Sequence, residues 1–243
     1  MKTSANADKS RFSGNECIRN LIYAVLDVSI GTGNQTLPLA EMGIALYGSD
    51  LSEEMLKKCR IKANNEELMV NLRKCDFRQL RNSFDQSFDC VISTGNSLPH
   101  VTKDEIENVL EQMDLLVYKG GYIYFDMRNW DKILKERNRF YLYNPVFIDG
   151  LRINNVQVWD YNLDETMTFN ILYSYEKDNE IIRKEVFEET YYPVKQEFLI
   201  NKLKRLGYKD IQVMCHPAFV KDIDVNKADW YCMIARKNYS QDA

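Results

Sequence analysis

VLDVSIGTGNQT, residues Val25 to Thr36, decides how the rest of the chain is read. Val25, Leu26 and Val28 suit a buried parallel strand, which closes around Asp27 before a bend holding Gly31 and Gly33. Glycines there allow close backbone approach, and a helix opening directly behind presents N–H groups with no intrahelical partner. Seventeen residues past Gly33 the run ALYGSD ends in Asp50, about where an open α/β sheet places an acid for ribose hydroxyls. Loop and acid together imply an adenosine-containing cofactor. Nicotinamide and flavin folds want a third glycine or alanine where helix and strand pack closely, and here Thr36 stands in that place, which weakens a dinucleotide reading.

Outward from this stretch the elements alternate. A short helix over Glu16–Ile22 precedes the first strand. Then come a helix from Gln35 to Met42 stopped by Gly43, a strand Ala45–Ser49, and a helix Ser52–Asn64 with Ser52 as its N-cap. Val70–Cys75 and FDCVIS (Phe88–Ser93) read as the third and fourth strands. Lys103–Val117 is an amphipathic helix carrying Ile106, Val109, Leu110, Met113 and Leu116 on one face, stopped by Lys119-Gly120-Gly121. YIYFDM then gives a fifth strand ending near Asp126. This β-α-β-α beat predicts an α/β fold, a doubly wound Rossmann-like sheet of seven strands.

The pattern changes after Asn129. A short helix, Trp130–Arg137, leads into three alternating, β-branched runs, roughly Leu151–Tyr161, Met167–Tyr175 and Ile181–Tyr191, separated by turn clusters at Asp164–Thr166 and Lys177–Glu180. Residues 130–190 therefore read as an inserted antiparallel β cap over the carboxyl edge of the sheet, with 1–129 and 191–243 forming the cofactor-binding domain. A helix over Lys195–Leu206 and two closing strands, Ile211–Cys215 and Trp230–Ala235, complete the main sheet.

Composition restricts the function classes. A chain of 243 residues with 45% hydrophobic content can bury a sizeable core, and its net charge of −4 argues against a generic nucleic-acid backbone binder. The six cysteines form no C-x-x-C pair and only two histidines accompany them, so zinc is not expected and the thiols read as buried small hydrophobes in a reducing compartment. No run is long and apolar enough to span a bilayer, and the polar start MKTSANADKS lacks a signal-peptide core. The expectation is a cytoplasmic protein acting on a small molecule, with neither nucleic acid nor membrane as partner; oligomeric state is left open.

Read as D-x-(small)-x-G-x-G, with Ser29 in the first small position, the loop resembles motif I of the class I S-adenosylmethionine-dependent methyltransferases. KCDF places Asp76 after the third strand, where that superfamily commonly has an acid near the adenine amino group. The loops GNSLPH (Gly95–His100) and DMRNWD (Asp126–Asp131) look like those of the glycine N-methyltransferase and glycine/sarcosine N-methyltransferase family, whose Asn and Arg there help hold the amino acid acceptor. The resemblance covers roughly Ala24 to Arg236. It implies S-adenosyl-L-methionine as cofactor, held by Asp27, Ser29, Gly31, Gly33, Asp50, Leu51, Asp76, Phe77 and Thr94, with Asn96, Arg128 and His100 serving the acceptor and its chemistry. Ser29 replaces the family's usual glycine, and the stretch before the first strand lacks the tyrosines of the family's amino-terminal arm.

Each residue also has a plainer reading. The three acids also read as turn and cap residues, and Arg128 as a solvated charge paired with Asp131. His100 and His216 read more simply as structural histidines. Seven tyrosines between Asn138 and Tyr192 suit either an aromatic lid over a methylammonium centre or a half-exposed sheet. If the acceptor carries a carboxylate, Arg128 offers a planar fork for two charge-assisted bonds. A phenol or heterocycle acceptor using His100 as base, and a non-catalytic cofactor binder, are the competing functions. The chain has no N-P-P-Y or D-P-P-Y loop after the fourth strand.

Overall fold

The computed structural model describes residues 22–216 and 224–239. The expected helix at Glu16–Ile22 and Cys17 lie, apart from Ile22, outside the described residues. In chain order the elements are β1 (Ala24–Asp27), α1 (Leu37–Glu41), β2 (Ala45–Asp50), α2 (Glu53–Asn65), β3 (Val70–Lys74), β4 (Phe88–Ser93), α3 (Lys103–Asp114) and β5 (Val117–Arg128). There follow α4 (Trp130–Glu136), β6 (Phe140–Leu142), β7 (Val146–Ile148), β8 (Leu151–Tyr161), β9 (Met167–Lys177), β10 (Glu180–Tyr191), α5 (Gln196–Arg205), β11 (Tyr208–Cys215) and β12 (Trp230–Lys237). A seven-stranded sheet runs β11-β12-β5-β4-β1-β2-β3, and a second sheet runs β10-β9-β8-β6 with β7 also on β8. The fold is thus the expected α/β arrangement with a separate antiparallel sheet. No helix among the described residues is long and apolar enough to cross a membrane.

Two compact units share these elements. Among the described residues the first comprises 22–94, 112–124 and 236–239, the second 95–111, 125–216 and 224–235. In the first, β1 pairs in parallel with β2 (Val25 opposite Leu46) and with β4 (Leu26 opposite Val91), and β2 with β3. The resulting apolar surface buries Val25, Leu46, Cys90 and Ile92 against Leu37 of α1 and Leu56, Cys59 and Ala63 of α2. Those three α2 residues recur at helical spacing, which aims one stripe at the sheet. Ser52 caps α2 as its position predicts, accepting the Met55 N–H at 3.3 Å.

In the second unit, β8, β9 and β10 form long antiparallel ladders, with Trp159 opposite Phe169 and Phe169 opposite Glu189. One end of that sheet is an aromatic core: Trp159 stacks on Phe169 with ring centres 4.6 Å apart, and Phe169 meets Tyr191 edge-on at 4.7 Å. Lys202 of α5, only 5% exposed, is satisfied by Glu107 at 3.1 Å and Glu111 at 2.6 Å on α3.

The structure departs from expectation in three places. α3 ends at Asp114, and Lys119-Gly120-Gly121 lies inside β5 rather than stopping a helix. Two short strands, β6 and β7, precede the three expected antiparallel ones. Two 3-10 turns, Phe77–Asn82 and Leu98–His100, follow the third and fourth strands.

Candidate active site

The loop after β1 is held from both sides within the first unit. Asp27, fully buried, accepts the Ser29 N–H at 3.0 Å and the Thr94 hydroxyl at 3.2 Å. The Ser29 hydroxyl accepts the Thr94 N–H at 3.1 Å and lies 3.2 Å from the Ser93 hydroxyl, so this departure from the usual glycine ties the loop to the end of β4. Asp50 closes the other side, accepting the Gly31 N–H at 2.9 Å and the Ser52 N–H at 2.8 Å. Asp27, Ser29, Gly31, Asp50 and Thr94 therefore form one hydrogen-bonded cradle, and the carboxylate of Asp50 both shapes the loop and begins α2.

The two glycines do different work. Gly33 has φ +77°, and a Cβ there would lie 2.7 Å from Cys59 Sγ and 2.8 Å from Leu37 Cγ. It is needed for packing α1 and α2. Gly31, at φ +54°, has nothing within 4 Å of where its Cβ would be. The following helix does not present the free N–H groups expected of it, because Leu37 donates to the Gly33 carbonyl at 2.9 Å, Leu39 to the Thr36 carbonyl at 2.9 Å, and Pro38 has no N–H. It is the open space above Gly31, beside the Asp50 carboxylate, that fits an adenosyl group approaching the backbone closely. Burial, followed by the Asp27 charge, raises the pKa of Cys59, so the thiol beneath the loop stays protonated and inert.

Asp76 begins the 3-10 turn, accepts the Arg78 N–H at 2.9 Å and grips the Arg78 guanidinium, with Nη2 2.6 Å from Oδ2. The Arg78 hydrogen bond holds its carboxyl below the usual range. Its charge is locally balanced, and a role toward adenine would share the carboxylate with Arg78. Phe77 opens that turn half-buried, and Leu51 is 63% exposed just beyond Asp50.

In the second unit the loops after β4 and β5 meet through backbone and side chain. Gly95 N–H donates to Asp126 Oδ1 at 2.8 Å and Asn96 N–H to the Asp126 carbonyl at 3.1 Å. Asn96 adopts φ +63°, a conformation asparagine tolerates better than most residues, and its Oδ1 accepts both the Arg128 N–H and the Trp130 indole N–H at 3.1 Å. Asn129 caps α4, accepting the Lys132 N–H at 3.2 Å, and donates to the Val225 and Ala228 carbonyls at 3.0 Å. Arg128 is fixed between these anchors.

The Arg128 side chain is 6% exposed. Its Nη2 donates to the Tyr143 hydroxyl at 2.8 Å and to Gln157 Oε1 at 3.3 Å. Around its guanidinium stand Tyr141, Trp159, Phe169 and Trp230, with ring centres 5.3 to 5.5 Å from Cζ. Asp131 is engaged elsewhere, accepting the Gln196 N–H at 2.9 Å, so the reading of Arg128 as a solvated partner of Asp131 is corrected. Among the described residues no carboxylate lies within ion-pair distance of Arg128. Cation–π contacts and two neutral oxygens stabilise the guanidinium but leave its positive charge uncompensated, which is the electrostatic condition for binding an anion.

His100 belongs to the same unit but is not drawn into that cluster. Its Nδ1 is 2.9 Å from Glu189 Oε1, and its ring lies 4.8 Å from Tyr191, which also touches Trp130 at 5.5 Å. Burial pushes the Tyr191 phenol up to about 12. Gln157, Trp159, Phe169 and Trp230 were missed as site residues, whereas Tyr141 and Tyr143 fall among the tyrosines read as an aromatic lid. Gln157 carried a signal, since it is the polar residue beside Trp159 on the phase of β8 that faces Phe169 and Tyr141.

Residues 25–121 match the model of a methyltransferase domain family. Over 88% of this chain and 76% of its own length, a glycine/sarcosine N-methyltransferase from Aphanothece halophytica is 25% identical. The human glycine N-methyltransferase is 33% identical over 45% of this chain and 42% of its own. An S-adenosylmethionine-dependent methyltransferase structure from Clostridium acetobutylicum superposes with TM-score 0.74 at 19% identity, covering 91% of this chain and 87% of that one, a likeness of fold. An amino pentose methyltransferase from Micromonospora echinaspora, with TM-score 0.72 and 14% identity over 91% and 86%, has the same fold. Cradle, fold and matches place the chain among the Rossmann-like methyltransferases. It is an S-adenosylmethionine-dependent methyltransferase.

Proposed function

We propose that this enzyme methylates the amine nitrogen of a small amino acid, glycine and sarcosine being the first candidates. The observation that carries the reading is the buried Arg128 guanidinium without a carboxylate partner among the described residues. An acceptor carboxylate would take up the remaining donors of that fork in charge-assisted bonds, aligning its amine for transfer. The relatives named as glycine/sarcosine methyltransferases support the same acceptor class.

Bound S-adenosylmethionine supplies the electrophilic methyl group. The chain's own contribution is positional. Asp27, Ser29, Gly31 and Asp50 would hold the donor, Asp76 and Leu51 its base, and Arg128 the acceptor. Tyr191 stays protonated at neutral pH and is no base. A neutral amine needs none for its attack, and a nearby sulfonium lowers the pKa of the bound ammonium.

Purified protein with radiolabelled donor, offered glycine, sarcosine, methylamine and an amino sugar, tests this. Turnover of the first two with little on methylamine supports the proposal. Turnover of the amino sugar or methylamine with none of the amino acids removes it, and cofactor binding with no turnover on any acceptor favours a non-catalytic binder.

A further inference from the structure

The antiparallel sheet of the second unit has two faces. One carries Trp159, Gln157, Phe169 and Tyr141 around Arg128. On the other, the register aligns Leu142, Val156, Leu172 and Val186 in a single row across β6, β8, β9 and β10. Leu142 is 72%, Leu172 37% and Val186 66% exposed, and Phe140, two positions along β6, is 64% exposed. Strands about 4.8 Å apart and residues about 3.4 Å apart make the face around this row roughly 500 Å² per copy, an exposed apolar row bordered by charged residues.

We propose that this face seats a second copy of the chain, in a two-fold dimer whose axis runs along the Leu142–Val156–Leu172–Val186 row. Charge placement selects that occupant. Rotation about the row exchanges positions equally far above and below it on each strand. On β10 it brings Lys184 of one copy against Glu188 of the other, and the reverse, two contacts related by symmetry. On β8 it brings Arg152 of one copy against Asp160 of the other. Lys184 and Glu188 are exposed and have no partner among the described residues, whereas Arg152 and Asp160 are already paired with Glu176 and Arg139.

The apolar row meets itself, the uncompensated Lys184 and Glu188 of β10 meet opposite charge, and on β8 two already neutralised pairs face each other without repulsion, so the face is complementary to its own copy, as an isologous contact requires. The total buried area, about 1,000 Å², is at the lower bound for a specific pair and is the size of a weak, reversible contact rather than an obligate dimer.

Sedimentation of the full chain from low to several hundred micromolar tests the proposal. A concentration-dependent shift from monomer to dimer is expected. Lys184→Glu places like charges at both symmetric contacts and should weaken association about tenfold, as should Glu188→Lys, while the double reversal restores it. Val186→Glu should leave the protein monomeric. Unchanged far-UV circular dichroism and S-adenosylhomocysteine binding establish that the variants are folded. A wild type monomeric throughout overturns the proposal, and so does a dimer whose association the single reversals leave unchanged or the double reversal does not restore.

Discussion

Asn96 Oδ1 accepts the backbone N–H of Arg128 at 3.1 Å, so the asparagine acts on the arginine's position rather than chiefly on a ligand. The same oxygen accepts the Trp130 indole N–H at 3.1 Å. Removing it orphans two donors in a site where Asn96 is 3% and Trp130 0% exposed.

Asn96→Ala should therefore cost about 2–4 kcal/mol of stability, since each unsatisfied buried donor costs about 1–3 kcal/mol and alanine tolerates the left-handed backbone poorly. Thermal melts should fall accordingly. The acceptor KM should rise more than the S-adenosylhomocysteine Kd, because the Asn96 side chain holds Arg128 and Trp130 rather than the cradle. A variant that melts like wild type and loses only cofactor affinity would assign Asn96 a different role.

The Arg128 site makes a sharper prediction through Gln157. Gln157→Glu puts a carboxylate where a neutral oxygen now lies 3.3 Å from the guanidinium. An internal counter-ion should compete with the acceptor's carboxylate and raise its KM at least about tenfold, a loss of roughly 1.4 kcal/mol, with cofactor affinity unchanged. Arg128→Lys should act in the same direction, because a single ammonium does not reproduce the planar fork. Equal effects on acceptor and cofactor would remove the role.

How far the sequence carried these assignments depends on the range of the determining contacts. Local chemistry announced the cradle: the spacing from Asp27 through Gly33 to Asp50 survives as direct hydrogen bonds. Ser52 likewise caps α2 from its own neighbourhood. Contacts distant in sequence were not legible. Gly120 and Gly121 looked like a helix stop, yet they lie in β5, where they are glycine because side chains would strike Tyr239 and the Asp89 carbonyl. β6 and β7 have three residues each, too few to show a period, and exist by pairing with β8. Arg128 could be chosen from its loop, but its desolvation depends on Tyr143, Gln157 and four rings collected from β6 to β12.

The paired glycines separate binding from folding. Gly33→Ala drives a methyl against Cys59 and Leu37 at φ +77° and should destabilise the protein by about 2–4 kcal/mol. Gly31→Ala meets open space and bears only the cost of its φ of +54°, about 1–2 kcal/mol, but its methyl projects where the donor is proposed to approach. Calorimetry with S-adenosylhomocysteine should show at least about a tenfold weaker Kd for Gly31→Ala, beyond what partial unfolding explains. Equal affinity for wild type and Gly31→Ala would place the cofactor away from this bend.

Asp126 gives the pH dependence. It is 2% exposed, and burial raises its pKa above the ordinary carboxylate value although the Gly95 N–H and His216 pull the other way. In the unfolded chain it ionises near about 3.9, so between that value and its higher folded pKa the native state holds more protons than the unfolded one. Stability contributed by this group is therefore fully present below the unfolded pKa, declines as pH rises, and is lost once pH passes the folded pKa. Asp126→Asn keeps an oxygen for the Gly95 N–H and cannot ionise. Whatever constant cost the amide carries, the melting temperature of the variant minus that of wild type should increase as pH rises through that window, then level off. Paired melts from acid to neutral pH measure the difference directly, and a flat one would mean that the buried carboxylate has the same proton affinity folded and unfolded.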